Sequence, residues 1–264
     1  MTSPGEQFAG RGSERIAAAF ANSGKRAALM PYLMGGFPDI EASKRIGLAY
    51  ADGGADLVEL GVPFSDPLAD GPVIHAAGTA ALAAGATTGA VLGVCEALAA
   101  RVAVVVMCYT NLVLAHDDFP ARLAAAGASG LIVPDLPLEE APPLLDACDD
   151  AGVALVPLVA PTTPDERLRA IGERARGFHY TVSVTGTTGE RDSLSDTFAA
   201  TVERARSHTD VPVALGFGIA TPEHAAQAAD AGADGVIVGS RLVRAAAEGE
   251  DVRALVEGLA GALR

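Results

Sequence analysis

The chain has 264 residues, half of them hydrophobic, no tryptophan and a formal net charge of −14 at pH 7. That charge argues against nucleic acid or an anionic membrane as partner, but leaves room for a small phosphate ligand held by backbone N–H groups. The longest apolar runs, such as Val102–Cys108, fall far short of the roughly 20 residues that span a bilayer.

Met1–Glu6 carries no basic, apolar leader, so no secretory signal is expected. A helix is expected over Ser13–Asn22, after a frayed first dozen residues. The first apolar run, Ala28–Leu33, reads as a strand and ends on Tyr32-Leu33-Met34-Gly35-Gly36. A helical stretch then stops at Gly53-Gly54, and Leu57-Val58-Glu59-Leu60 follows as the second strand. Its loop carries Asp66 and Asp70, and an extra short helix is expected before the helix Thr88–Ala100.

Strands three to eight are expected at Val102–Met107, Leu131–Val133, Ala154–Val156, Gly177–Val182, Val211–Gly216 and Val236–Val238. An Ala-rich helix and a Gly stop recur before several of them, as at Ala126-Gly127, Ala151-Gly152 and Ala231-Gly232. Most strand starts lie 23 to 34 residues apart, enough for one strand, one helix and two loops. Eight short apolar strands alternating with helices imply a parallel sheet covered on both faces. Eight such units favour one closed (β/α)8 TIM barrel over residues 1–264, with extra N-terminal and loop helices; an open doubly wound sheet is the alternative.

In a barrel the loops after the strands form one functional face. Glu59 stands there at the end of a buried run, where an acid costs several kcal/mol unless it is compensated or used. With Asp70 it forms a candidate acid–base pair, although Asp66-Pro67 and Asp70-Gly71 are also ordinary turn pairs. For Asp66 the turn reading is preferred. Gly186 and Gly189, Gly216 and Gly218, and Gly239 with Ser240 follow strands six, seven and eight, where a phosphate often binds in this fold. Tyr32, Tyr109, Tyr180 and Phe217 lie at strand ends and could line an apolar pocket, or merely pack the rim.

Other chemistries find little support. Cys95, Cys108 and Cys148 are widely spaced and form no CxxC pair, so they read as ordinary thiols in a reducing cytoplasm. The five histidines are scattered without metal-site spacing, and no metal is expected. Among 19 basic side chains only Lys25 and Lys44 are lysines, and neither follows a strand, so Schiff-base chemistry is not expected.

The segment Glu59–Pro72 (ELGVPFSDPLADGP) resembles the signature of the tryptophan synthase alpha chain family. Gly36-Phe37-Pro38, Tyr109-Thr110-Asn111, Pro134-Asp135-Leu136-Pro137, Thr188-Gly189, Gly216-Phe217-Gly218-Ile219 and Gly239-Ser240 extend the likeness in order along the chain. The resemblance implies retro-aldol cleavage of indole-3-glycerol phosphate to indole and glyceraldehyde 3-phosphate. It implies Glu59 as general acid–base and Asp70 as the partner of the indole N–H. It puts Tyr32, Met107 and Phe217 at the border of the indole, Tyr180 at a pocket position near Glu59, Tyr109 among the substrate-binding residues, and Gly189, Gly218, Gly239 and Ser240 at the phosphate. Thr185 to about Asp192 would be a lid, with Thr188 reaching Asp70.

No cofactor is implied for this chain. The implied partner is a beta chain carrying pyridoxal phosphate, in an α2β2 assembly, met through Pro63, Asp66, Asn111 and Pro137. Met34-Gly35 and Thr187 depart from the family pattern and bear on pocket shape and lid. A stand-alone lyase releasing free indole needs the same acids; a non-catalytic regulatory barrel would not need them.

Overall fold

A computed structural model describes residues 12–182, 194–216 and 218–264, with backbone only at 194–198. The expected frayed start, the expected lid with Thr188 and Gly189, and Phe217 lie outside the described residues. The chain runs α1 (Gly12–Ala21), β1 (Ala28–Met34), α2 (Ile40–Asp52), β2 (Leu57–Gly61), α3 (Pro72–Ala83), α4 (Thr88–Ala99), β3 (Ala103–Met107), α5 (Thr110–Leu114), α6 (Phe119–Ala125) and β4 (Gly130–Ile132). It continues through α7 (Pro142–Ala151), β5 (Ala154–Val156), β6 (Leu158–Val159), α8 (Asp165–Arg174), β7 (His179–Val182), α9 (Leu194–Arg206), β8 (Val213–Gly216), α10 (Pro222–Asp230), β9 (Gly235–Val238), α11 (Ser240–Glu248) and α12 (Val252–Ala262).

Local chemistry starts and stops these elements. Asp39, Thr87, Thr221 and Asp251 each accept a backbone N–H in the first turn of the helix they precede. Gly54, Gly127, Gly152 and Gly232 take positive φ where α2, α6, α7 and α10 end, a conformation glycine adopts without steric cost.

All strand pairs are parallel, in the order β5-β4-β3-β2-β1-β9-β8-β7-β6. The two outermost strands, β5 and β6, are separated in sequence only by Pro157. The sheet therefore closes on itself, and the expected eighth-fold barrel is present with its fifth strand broken in two. Proline explains the break, since it offers no N–H to a ladder. Its carbonyl still accepts from Tyr180 N–H (3.0 Å).

Strand parity sorts the side chains. Leu57 on β2, Met30 on β1 and Val105 on β3 face the barrel interior with Ala103, Ile132, Val156, Phe178, Ala214 and Ile237. Val58, Leu60, Val104 and Val106 face outward and pack under the helices. At the N-terminal end of the barrel, α1 inserts the fully buried Ile16 into the interior cluster. Arg15 fastens that helix by donating to the carbonyls of Gly127 (2.7 Å) and Ala99 (3.0 Å). The expected covering helix is thus a plug. Gly12 N–H also donates to Gly152 carbonyl (2.8 Å), tying the start of the helix to the end of α7. Among the described residues no single helix is long and apolar enough to cross a membrane.

Candidate active site

The same parity that buries Leu57 aims Glu59, two residues on, into the barrel at its C-terminal end. Register places Tyr32 beside it on β1 and Val105 on β3. Glu59 is 1% exposed, and neither carboxylate oxygen has a hydrogen-bond partner among the described residues. Burial pushes its pKa up to about 8, with the nearby Asp70 charge adding to the effect. An acid in that state is protonated at neutral pH and poised to give up its proton.

Asp70 approaches from the loop after β2, just before Gly71 and the Pro72 start of α3. Partial burial raises its pKa, while the Tyr109 hydroxyl and His75 pull it back. The tyrosines Tyr32 and Tyr180 are buried, and burial plus the charges of both acids keep their hydroxyls firmly protonated. Two glycines make room for them. A Cβ at Gly61 would stand 2.0 Å from the Tyr32 hydroxyl, and one at Gly216 would stand 2.7 Å from that of Tyr180.

These groups line one cleft of about 400 Å3 on the C-terminal face of the barrel, a size that suits a small organic ligand. Its walls join Tyr32, Glu59, Asp70, Met107 and Tyr180 to Gly218, Gly239 and Ser240. Gly218 has φ +75, and Gly239 precedes α11 without any side-chain cap, so the first N–H groups of that helix are left for a ligand.

Other expected site residues fall elsewhere. Tyr109 does not line the cleft. It is buried behind the Asp70 loop, its hydroxyl accepts from Ala69 N–H (3.0 Å), and its ring stacks on Phe64. Asp66 is exposed and accepts from Ser65 Oγ (2.5 Å), in keeping with its turn reading. Asn111 and Pro137 are exposed on the same face, whereas Pro63 is buried under its own loop and offers little surface within this chain. Exposed Leu68 and Leu114, 86% and 70% accessible, stand on the loop after β2 and at the end of α5.

The cleft also uses residues that strand-end reading passed over. Ile237 and Val182 follow from parity on β9 and β7, and Leu158 from the Pro157 break. Ile74, Ile219, Arg241 and Arg244 are brought in by α3, the loop after β8 and α11. Only the rule that ligands meet the start of the helix after the last strand could have drawn attention to the two arginines. A smaller cavity of about 180 Å3 lies behind the β4 loop, lined by Leu136, Pro137, Leu145 and Ile171, and contains no acid. Among the described residues no group of three or more His, Cys, Asp or Glu could hold a metal ion.

A family model described as tryptophan synthase alpha chain matches residues 19–260. The tryptophan synthase alpha chain of Gloeobacter violaceus is 49% identical over 236 residues, covering 87% of this chain and 86% of its own. That of Methanosarcina mazei is 48% identical over 242 residues, covering 91% and 89%. Among solved structures, Mycobacterium tuberculosis tryptophan synthase superposes with a TM-score of 0.87 at 42% identity, covering 97% of this chain and 99% of the other. A structure from Pyrococcus furiosus, described for the mutual activation of its tryptophan synthase α2β2 complex, gives 0.84 at 35% identity, covering 90% and 99%. With a matching model over most of its length and relatives near half identity, this chain belongs to the tryptophan synthase alpha chain family.

Proposed function

We propose that this chain is the alpha subunit of tryptophan synthase, cleaving indole-3-glycerol phosphate to indole and glyceraldehyde 3-phosphate in L-tryptophan biosynthesis. The observation that carries the reading is a buried Glu59, without a hydrogen-bond partner among the described residues, in one cleft with Asp70 and the Gly218/Gly239/Ser240 rim.

The chemistry follows from the state of each acid. Protonated Glu59 delivers its proton to indole C3, and the ring becomes a cation centred on N1. Asp70 accepts the hydrogen bond from that N–H and stabilises the charge as it develops. The Glu59 carboxylate then takes the proton of the side-chain hydroxyl next to C3. As the alcohol becomes the aldehyde, the C–C bond breaks and its electron pair returns to the ring. One proton is given and one recovered, so Glu59 ends as it began. The tautomerised indole is itself the electron sink, so no step calls for a metal or a Schiff base, and the subunit needs no cofactor of its own. Tyr32, Met107 and Tyr180 border the indole. Backbone N–H groups at Gly218, Gly239 and Ser240 meet the phosphate, with Gly189 as a further contact; Phe217 and Thr188 complete the site in this reading.

The indole passes to a beta subunit, which carries pyridoxal phosphate, in an α2β2 assembly. The exposed Leu68 and Leu114, on the loop after β2 and at the end of α5, supply an apolar surface for that partner, and Asp66, Asn111 and Pro137 its polar rim. This surface favours the subunit over a stand-alone lyase. We read residues 1–264 as one domain acting in the cytoplasm. Indole release measured with and without a beta chain tests the assignment. Strong activation by the partner is expected; full activity of the isolated chain supports the stand-alone lyase instead.

A further inference from the structure

The charges of the cleft are segregated. Among the described residues its two acids, Glu59 and Asp70, come from β2 and its loop, and its two cations, Arg241 and Arg244, both come from α11. The cations differ in their circumstances. Arg241 is held by Glu250, with Nη1 and Nη2 at 2.8 and 2.7 Å from its two carboxylate oxygens, so its charge is already matched. Arg244 is exposed and has no ion pair or side-chain hydrogen bond among the described residues. It lies four residues after Ser240, one turn along the same helix face. Side chains on a helix lean toward its N-terminus, which directs the Arg244 guanidinium back over the uncapped first turn at Gly239 and Ser240. A chain of net charge −14 repels a dianion at long range, so an uncommitted cation in the cleft wall weighs heavily on its capture.

We propose that Arg244 is a substrate-binding side chain that grips the phosphate monoester of the substrate from the solvent side, adding a guanidinium to the backbone cradle at Gly239 and Ser240. The inference deepens the phosphate-ester reading of the cleft and rests on it. Arg244 takes no part in proton transfer. Its contribution belongs to capture of the ester and is screened by salt, because the group is exposed.

The test compares Arg244→Gln, Arg244→Lys and Arg253→Gln in the full chain. Arg253→Gln removes the same charge from α12, where it pairs with Glu257 away from the cleft. Two readouts are taken: steady-state cleavage of indole-3-glycerol phosphate, and calorimetric binding of inorganic phosphate, which requires no turnover. Arg244→Gln is expected to raise KM and the phosphate Kd about threefold to tenfold at low salt, with kcat held within about twofold. The gap should narrow at high salt, Arg244→Lys should recover part of the loss, and Arg253→Gln should change neither constant. Unchanged KM and phosphate Kd in Arg244→Gln overturn the proposal, as does an equal shift in Arg253→Gln or a loss confined to kcat. If the wild-type chain binds phosphate through Arg244 but does not cleave the ester, the proposed reaction fails while the role of Arg244 in phosphate binding stands.

Discussion

Replacing Glu59 with glutamine keeps the shape of the side chain and removes its proton chemistry. In the wild-type barrel the carboxyl is fully enclosed and its pKa is raised from 4.5 to about 8. Ionising it inside the fold is therefore disfavoured by up to about 5 kcal/mol relative to water. The folded state holds this proton where the unfolded chain has released it, so its effect on stability depends on pH. Any contribution is fully present below about 4.5, falls as pH rises, and is lost once pH passes about 8. Glutamine carries no such penalty, so Glu59→Gln should melt no lower than wild type at pH 8 to 9. Its catalytic effect should be large, because one group both delivers the C3 proton and recovers the hydroxyl proton. General acid–base catalysis is worth roughly 10²- to 10⁴-fold, and a double role places the loss at the upper end, about 5.5 kcal/mol of barrier. The assay is indole release from indole-3-glycerol phosphate with the beta chain in excess, beside a thermal melt of the same preparation. A variant that folds like wild type and turns over within about tenfold of it would refute the role of Glu59.

Three further outcomes follow from the same geometry. The kcat/KM of the wild-type chain should fall as pH rises through about 8, since the active form holds the proton; a rate that climbs through that range contradicts the acid role. Asp70→Asn should slow cleavage about 10²-fold or more, whereas a loss within about twofold would return Asp70 to a turn-forming part, read from the same indole assay. Gly61→Ala should destabilise the barrel by about 1–3 kcal/mol, because its methyl meets the Tyr32 hydroxyl. Adding Tyr32→Phe should restore part of the melting temperature, and a double variant no more stable than Gly61→Ala would disprove that contact.

Much of this site is legible because the residues that make it obey strand parity. Leu57 and Glu59 differ by two, so a reader who buries one must aim the other into the barrel. The Gly-stop rhythm likewise places the strand starts it marks within a residue or two, as at Leu57, Leu131 and Ala154. The division of the fifth strand is less visible, since Pro157 falls between two apolar pairs that can be read as one run. Tyr109 shows what position alone leaves open. It sits at the end of β3 as an aromatic lining would, yet its hydroxyl serves the Asp70 loop, accepting from Ala69 N–H and hydrogen-bonding the Asp70 carboxyl. Tyr32 and Tyr180 reach the cleft because small neighbours, Gly61 and Gly216, leave their hydroxyls space. Arg241 and Arg244 carry no motif; they matter only through the helix that closes the barrel.

The central claim is that Glu59 enters the reaction as a neutral acid. Carbon-13 NMR of its labelled carboxyl carbon, followed through a pH titration of the ligand-free chain and assigned by the loss of the signal in Glu59→Gln, measures this directly. The account predicts a midpoint at about 8. A midpoint near the ordinary 4.5 would leave the group ionised at neutral pH and contradict the proton delivery on which the mechanism depends.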